Sequence, residues 1–155
     1  MATTRLPELD RDTERRLAAG LFNDVWRLLD LPKRTPEQDD EMLHEAHASR
    51  YHWGNVGDPI TFVRGEWLCS RVYVVLGRPE PAIWHARRCL ELLTEFRGGE
   101  TWDEAYAYEA LARAYALAGN RDERNAWLAR ARVAAKAVAD PNDRGPIEED
   151  LKTIR

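Results

Sequence analysis

Apolar residues recur every three or four positions through most of this chain, the spacing of helices that bury one face. Residues that cap or stop helices interrupt this pattern near positions 31, 54, 77, 98, 119 and 140. No segment shows the strict alternation of a half-buried strand. The pattern therefore predicts an all-α chain of seven helices, at about 9–30, 36–53, 59–76, 80–96, 101–119, 122–138 and 146–154.

Capping signals mark several of the predicted helix ends. Thr35 precedes a proline and is followed three residues later by Gln38, which is the pattern of a capping box. Thr101 and Glu104 have the same spacing at the start of the fifth helix. Gly77 follows the third helix and is predicted to form its C-terminal cap. The last helix is predicted to begin after Gly145-Pro146.

Part of the sequence is repeated at a constant offset. The segment SRVYVVLG at 70–77 recurs as ARAYALAG at 112–119, which is 42 positions later (119 − 77 = 42). A repeat of this length is typical of stacked helix pairs, because each pair is too small to bury its own apolar face.

This repeat resembles the tetratricopeptide repeat. The matching positions are a small residue, a tyrosine, a turn glycine and a second small residue, namely Ser70 and Ala112, Tyr73 and Tyr115, Gly77 and Gly119, and Cys89 and Ala131. Arg124 departs from the pattern, and the offset of 42 is longer than the family period of 34. The resemblance covers 66–139 well and 20–53 less closely, and it extends to short bacterial proteins of this type.

The resemblance implies a right-handed α-solenoid within one domain, 1–155. Three antiparallel helix pairs, at about 9–53, 59–96 and 101–139, would stack on one another. The helix at 146–154 would cap the last pair and cover its apolar end. The implied function is that of a scaffold that binds a protein or peptide.

Composition narrows the class of protein further. The 155 residues carry a net charge of −4, which argues against a general nucleic-acid or anionic-membrane surface. No apolar run approaches the roughly 20 residues of a membrane span, and residues 1–7 lack the apolar core of a signal peptide. Cys69 and Cys89 lie in apolar segments without a C-x-x-C motif, so we expect buried, reduced thiols and a cytoplasmic protein. Of the 23 basic residues, 20 are arginine, a bias typical of a GC-rich bacterial genome.

One polar stripe on the second predicted helix is the main candidate for chemistry. At about 100° per residue, Asp40, His44, His47 and Tyr51 share one narrow face, whereas His52 lies about 120° away from Asp40. Asp40, His44 and His47 are residue types that bind zinc or iron. The alternative is a hydrated polar face whose histidines bond to Asp40 or to neighbouring helix ends.

Further candidates for ligand binding lie on the third and fourth predicted helices. Arg64 and Arg71 stand on the most apolar helix, and either would favour an anionic ligand if it were buried without an acidic partner. His85 could approach the stripe, depending on how the helices stack. Trp26, Trp67 and Trp84 follow apolar patterns and are predicted to lie in the core, and Trp102 is placed to pack across a loop or line a groove.

The sequence therefore favours an interaction module that binds a protein or peptide, without a cofactor, and gives no nucleophile or phosphate-loop motif that would make it an enzyme. The alternative is a small-molecule or metal-binding protein, including a metal-dependent enzyme, in which the stripe holds zinc or iron. A third prediction is self-association as a homodimer through exposed solenoid ends or aromatic patches.

Overall fold

Helix caps divide the chain into seven α-helices, and no strand is present in residues 7–155, which the computed structural model describes. The all-α prediction is confirmed. Residues 1–6, which carry most of the signal-peptide argument, lie outside the described residues. The helices are α1 (Arg11–Leu29), α2 (Pro36–Val56), α3 (Pro59–Val75), α4 (Pro79–Phe96), α5 (Thr101–Leu117), α6 (Arg121–Ala137) and α7 (Pro141–Lys152).

The capping box predicted at the start of α2 is confirmed. Thr35 Oγ1 accepts a hydrogen bond from the backbone N–H of Gln38 at 3.3 Å, and Gln38 Oε1 accepts one from the backbone N–H of Thr35 at 2.9 Å. At α5 the predicted box is wrong by one residue. Glu100 is the N-cap residue, and its backbone N–H donates to Asp103 Oδ2 at 2.8 Å. An acidic side chain there also complements the positive end of the helix dipole.

The two turn glycines of the repeat adopt the same backbone conformation. Gly77 has φ +70° and Gly119 has φ +72°, in the left-handed region that residues with a side chain rarely adopt. After each glycine the next backbone N–H bonds back to the repeat tyrosine, from Arg78 to Tyr73 O at 2.9 Å and from Asn120 to Tyr115 O at 3.0 Å. These bonds satisfy carbonyl groups that the helix end leaves free.

Two predicted boundaries differ from the structure by three or more residues, at the end of α2 and at the start of α7. Helix α2 does not stop at Trp53 but continues through Gly54 to Val56, and the N–H of Gly57 then bonds to Trp53 O at 2.7 Å. Helix α7 begins at Pro141, where Asp140 caps it, rather than after Pro146. Pro141 is tolerated at the first helical position, because the N–H groups of the first turn have no partner within the helix, whereas Pro146 lies inside α7.

Each helix packs against the next, and α3 also packs on α5 and α5 on α7. One hydrophobic cluster extends from α1 to α5 around Leu28, Leu68 and Leu111. A second joins α5, α6 and α7 around Ala131 and Ile147, and Tyr106 and Trp127 contact both clusters. Helix α3 has the longest buried stretch, with six consecutive buried residues from 65 to 70. Among the described helices, none is both long enough and apolar enough to cross a membrane.

We expect Gly77→Ala and Gly119→Ala each to destabilise the protein by about 1 kcal/mol, because alanine is strained in the left-handed region. The matched control is Gly20→Ala, since Gly20 lies inside α1 and a methyl group added to it would have no neighbour within 4 Å. This control should gain about 0.5–1 kcal/mol, because alanine favours the helix interior. Urea unfolding of the three variants measures the effect. Equal effects at all three positions would contradict this account of the repeat turns.

Candidate functional site

A cavity of about 320 Å³ lies where α1, α3 and α5 meet. Its walls are largely aromatic, and α4 contributes Cys89 to the lining. The volume is at the lower end of the roughly 300–1,000 Å³ that ligand pockets occupy. The aromatic lining residues are Phe22, Trp26, Trp67, Trp102 and Tyr106.

Aromatic contacts connect the walls of the cavity across the three helices. Trp26 on α1 stacks on Trp67 of α3 with ring centroids 5.5 Å apart. Tyr106 of α5 meets Trp67 edge-on at 5.6 Å and Trp102 at 6.2 Å. Each such pair contributes about 0.5–1.5 kcal/mol beyond the area it buries. The walls are therefore held in place by one another.

An ion pair forms the polar part of the cavity. Arg64 Nε donates to Asp103 Oδ1 at 3.0 Å and Arg64 Nη2 donates to Oδ2 at 3.1 Å. The guanidinium also lies 4.3 Å from the ring centroid of Trp102, a cation–π contact. The side chain of Asp103 is 2% exposed and that of Arg64 is 37% exposed. An approaching group therefore meets the arginine rather than the carboxylate.

Arg71 belongs to a separate ion-pair network beside the cavity. It donates to Glu109 at 3.1 Å and to Asp150 at 3.4 Å, so it links α3 to α5 and α7. Arg113 contacts the same Glu109 and donates to the backbone oxygen of Asp150 at 3.0 Å. Both Arg64 and Arg71 have acidic partners, so neither is the unpaired, buried arginine that the sequence analysis considered.

Two histidines and a tyrosine form a second polar cluster between α2, α3 and α4. His47 Nε2 lies 2.9 Å from Tyr73 Oη, and the His47 and His85 ring centroids are 5.2 Å apart. The ring of His85 stacks on Tyr73 at 5.5 Å. The packing of α4 thus brings His85 beside the stripe residue His47, a proximity that the sequence left dependent on how the helices stack.

A buried carboxylate, that of Glu66, contacts His85 of this cluster. Glu66 is 5% exposed, and its two oxygens contact Arg50 Nε at 2.9 Å and His85 Nδ1 at 2.7 Å. Burial raises the pKa of Glu66, but the hydrogen bonds and charges of His85 and Arg50 outweigh it and lower the pKa overall. Burial also lowers the pKa of His47, and the charge of His85 adds to that effect. The joint between α2, α3 and α4 is thus sensitive to pH.

The remaining stripe residues stay at the surface. Asp40, His44 and Tyr51 are exposed, and His52 bonds to Glu14 of α1 at 3.1 Å instead of joining them. Within residues 7–155, just one set of three or more potential metal ligands has its atoms within 4.8 Å of one another, and it does not include the stripe. In this structure the ligand atoms of Asp40, His44 and His47 do not all lie within 4.8 Å of one another.

That one set consists of three carboxylates, Asp24 of α1 with Glu41 and Glu45 of α2. Burial and the charges of its two acidic neighbours raise the pKa of Glu45 to about 7. One oxygen of Glu45 is buried and has no hydrogen-bond partner among the described residues. Arg27 donates to Asp24 at 2.6 Å and partly offsets the negative charge. No bound ion is needed to explain these carboxylates, because protonation of Glu45 relieves their repulsion.

Both cysteines lie in the core, as the sequence predicts. Cys69 and Cys89 are buried and free. Burial raises the pKa of the Cys69 thiol to about 12 and also raises that of Cys89. Since a thiolate is the reactive form, neither residue is a nucleophile near neutral pH.

Comparison of the chain with protein-family models gave no match, and comparison with curated proteins gave none either. The resemblance to the tetratricopeptide repeat therefore stays a prediction that depends on the repeated segment.

The sequence did not identify most of the cavity. Phe22 and Tyr106 occupy ordinary apolar helical positions, and Asp103 has the position of a helix-capping residue. The signals available were Arg64, a charged residue on the most apolar helix, and Trp102 beside a glycine loop. Trp84, by contrast, was predicted to be in the core and is 56% exposed.

We expect Glu45→Gln to stabilise the protein at alkaline pH. Glu45 ionises only near pH 7 in the fold but near its ordinary value of 4.5 when unfolded, so its charge destabilises the fold progressively as pH rises through that range. Solvent screening reduces the effect, and we expect a gain of about 1 kcal/mol at pH 8 that disappears below pH 4.5. Urea unfolding at several pH values measures it. Asp40→Asn, an exposed carboxylate on the same helix, is the control and should show no such trend.

We expect His47→Gln to make the protein less sensitive to acid. The lowered pKa of His47 means that the unfolded chain binds its proton more readily, so stability is full above about pH 6.5 and falls as pH decreases below it. Glutamine keeps a polar group beside Tyr73 but does not titrate. The loss of unfolding free energy between about pH 7.5 and 5.5 should shrink by a few tenths to about 1 kcal/mol. His44→Gln, one turn away and exposed, should reduce the sensitivity to acid less than His47→Gln does, and equal effects in both variants would contradict the assignment.

Proposed function

We propose that this chain is a helical-repeat module that binds a peptide segment of a partner protein. The binding face is formed by the alternate helices α1, α3 and α5. The observation that carries the proposal is the aromatic cavity of about 320 Å³, to which these three helices contribute. Pockets lined by aromatic rings with few polar groups suit an anchoring side chain of a partner, and such anchors dominate binding energy at interfaces.

The packing of the helices supports the stacked helix pairs that this proposal assumes. Each helix packs on its successor, and the contacts of α3 with α5 and of α5 with α7 connect alternate helices. The helix pairs α3–α4 and α5–α6 are joined by turns of the same conformation. Three pairs stacked as a right-handed solenoid, with α7 as the terminal cap, would place α1, α3 and α5 on one face.

The chemistry of the cavity favours binding over catalysis. Its carboxylate, Asp103, is occupied by Arg64 and by the backbone N–H of Glu100, so it is not available as a general base. Its thiol, Cys89, has a raised pKa and stays protonated. Burial raises the pKa of the Tyr106 phenol to about 12, so this lining group also stays protonated near neutral pH.

The alternative in which the stripe residues bind zinc or iron remains a prediction, and elemental analysis of the purified chain tests it. Self-association as a homodimer is likewise a prediction, which light scattering over a range of concentrations tests.

The experiment for the proposed function is selection from a random peptide display library, followed by fluorescence titration of the selected peptides. Ala107→Leu fills the cavity from its lining, and Phe22→Ala removes part of one wall. We expect each to weaken binding of selected peptides at least tenfold, because the anchor loses its contact surface. Trp84→Ala is the control, since Trp84 is exposed on α4 and does not line the cavity.

Circular dichroism and thermal unfolding establish that the cavity variants are folded. Peptides that bind all variants equally would place the binding site elsewhere. Failure to select any peptide would contradict the proposed function.

A further inference from the structure

We propose that the partner segment anchors in the cavity through one aromatic side chain and carries an acidic side chain beside it. This inference rests on the proposed function and specifies the partner it would recognise. It follows from two properties of the cavity, the rings that form its walls and the exposed guanidinium of Arg64 at its polar side.

The walls select the anchor. The rings of Trp26, Trp67, Trp102 and Tyr106 come from three helices and hold one another through stacked and edge-on contacts. A planar aromatic side chain continues this series of contacts, whereas an aliphatic chain gains only burial. The volume of about 320 Å³ suits one ring system and its nearest backbone rather than a longer segment.

The guanidinium of Arg64 determines which kind of residue is favoured beside the anchor in the partner segment. Asp103 accepts hydrogen bonds from Arg64 Nε, from Arg64 Nη2 and from the N–H of Glu100, and its side chain is 2% exposed. Arg64 is 37% exposed, and its Nη1 has no hydrogen-bond partner among the described residues. A carboxylate is the strongest acceptor for such a donor, and a basic side chain would be repelled.

The other arginine of α3 does not contribute. Arg71 uses both Nη1 and Nη2 for Glu109 and Asp150, and it is 20% exposed. The cavity therefore requires one acidic residue rather than an acidic run. A ligand with a quaternary ammonium group is disfavoured, because the guanidinium of Arg64 already covers the ring of Trp102 at 4.3 Å.

The test starts from the unbiased library selection against the wild-type chain, with counter-selection on Ala107→Leu. Peptides that depend on the cavity should be enriched in Phe, Tyr or Trp with Asp or Glu within two residues. In one selected peptide, replacing the aromatic residue by alanine should weaken binding at least tenfold. Replacing the acidic residue by its amide should weaken binding three- to tenfold, and this loss should shrink at high salt.

The protein variant Arg64→Lys isolates the contribution of Nη1. Lysine keeps the charge that Asp103 needs but lacks the fork that serves two carboxylates at once. We expect Arg64→Lys to weaken the acidic peptide by three- to tenfold more than its amide version. Arg71→Lys is the matched control on the same helix, because its donors are engaged within the protein, and it should leave both affinities unchanged.

The outcomes separate the two proposals. Cavity-dependent peptides without an aromatic residue, or with a basic residue beside the anchor, would overturn this inference and leave the proposed function standing. The same holds if the acidic peptide and its amide version lose affinity equally in Arg64→Lys. If that variant does not fold, the peptide substitutions and their salt dependence against the wild-type chain decide the matter. The absence of any cavity-dependent peptide would contradict both proposals.

Discussion

The arrangement of the helices depends on one constraint, which is that α3 is buried along its middle yet carries charged side chains. Glu66 is buried, and Arg64 and Arg71 stand two residues before it and five after it. A charge removed from water costs several kcal/mol unless an opposite charge meets it in good geometry. Glu66 finds its partners on α2 and α4, Arg64 on α5, and Arg71 on α5 and α7. Each charge of α3 therefore fixes the position of one or two neighbouring helices.

This constraint also shapes the cavity. Asp103 neutralises Arg64 at one side of the cavity, and the rest of the lining consists of aromatic, aliphatic and thiol side chains. The same pair has unequal exposure, so the carboxylate stabilises the arginine from inside while the arginine faces outward. A single ion pair thus serves the packing of α3 on α5 and gives the cavity its one polar preference. Removal of Asp103 would therefore leave Arg64 without its ion-pair partner, both in the packing of α3 on α5 and in the cavity.

Local features were predictable from the sequence, and long-range pairings were not. The turns at Gly77 and Gly119 follow from the repeat itself, since glycine tolerates the left-handed backbone there. The exposure of Trp84 was also predictable, because Trp84 lies about 200° around the helix from the buried Ala82. The partners of the α3 charges lie far along the chain, up to 79 positions for Arg71 and Asp150. Helical periodicity does not predict such a pairing, so the cavity and its ion pair could be identified only from the structure.

The two copies of the repeat share one kind of contact between helices, although the contacting residues differ. In both copies the tyrosine hydroxyl bonds to a side chain of the helix that precedes its own, Tyr73 to His47 and Tyr115 to Arg87. The equivalent bond thus holds α3 on α2 and α5 on α4. Histidine changes charge near neutral pH, whereas arginine stays charged at every physiological pH. The two contacts therefore use the same repeat tyrosine but different partners, and acid should loosen the contact between α2 and α3 before it affects the one between α4 and α5.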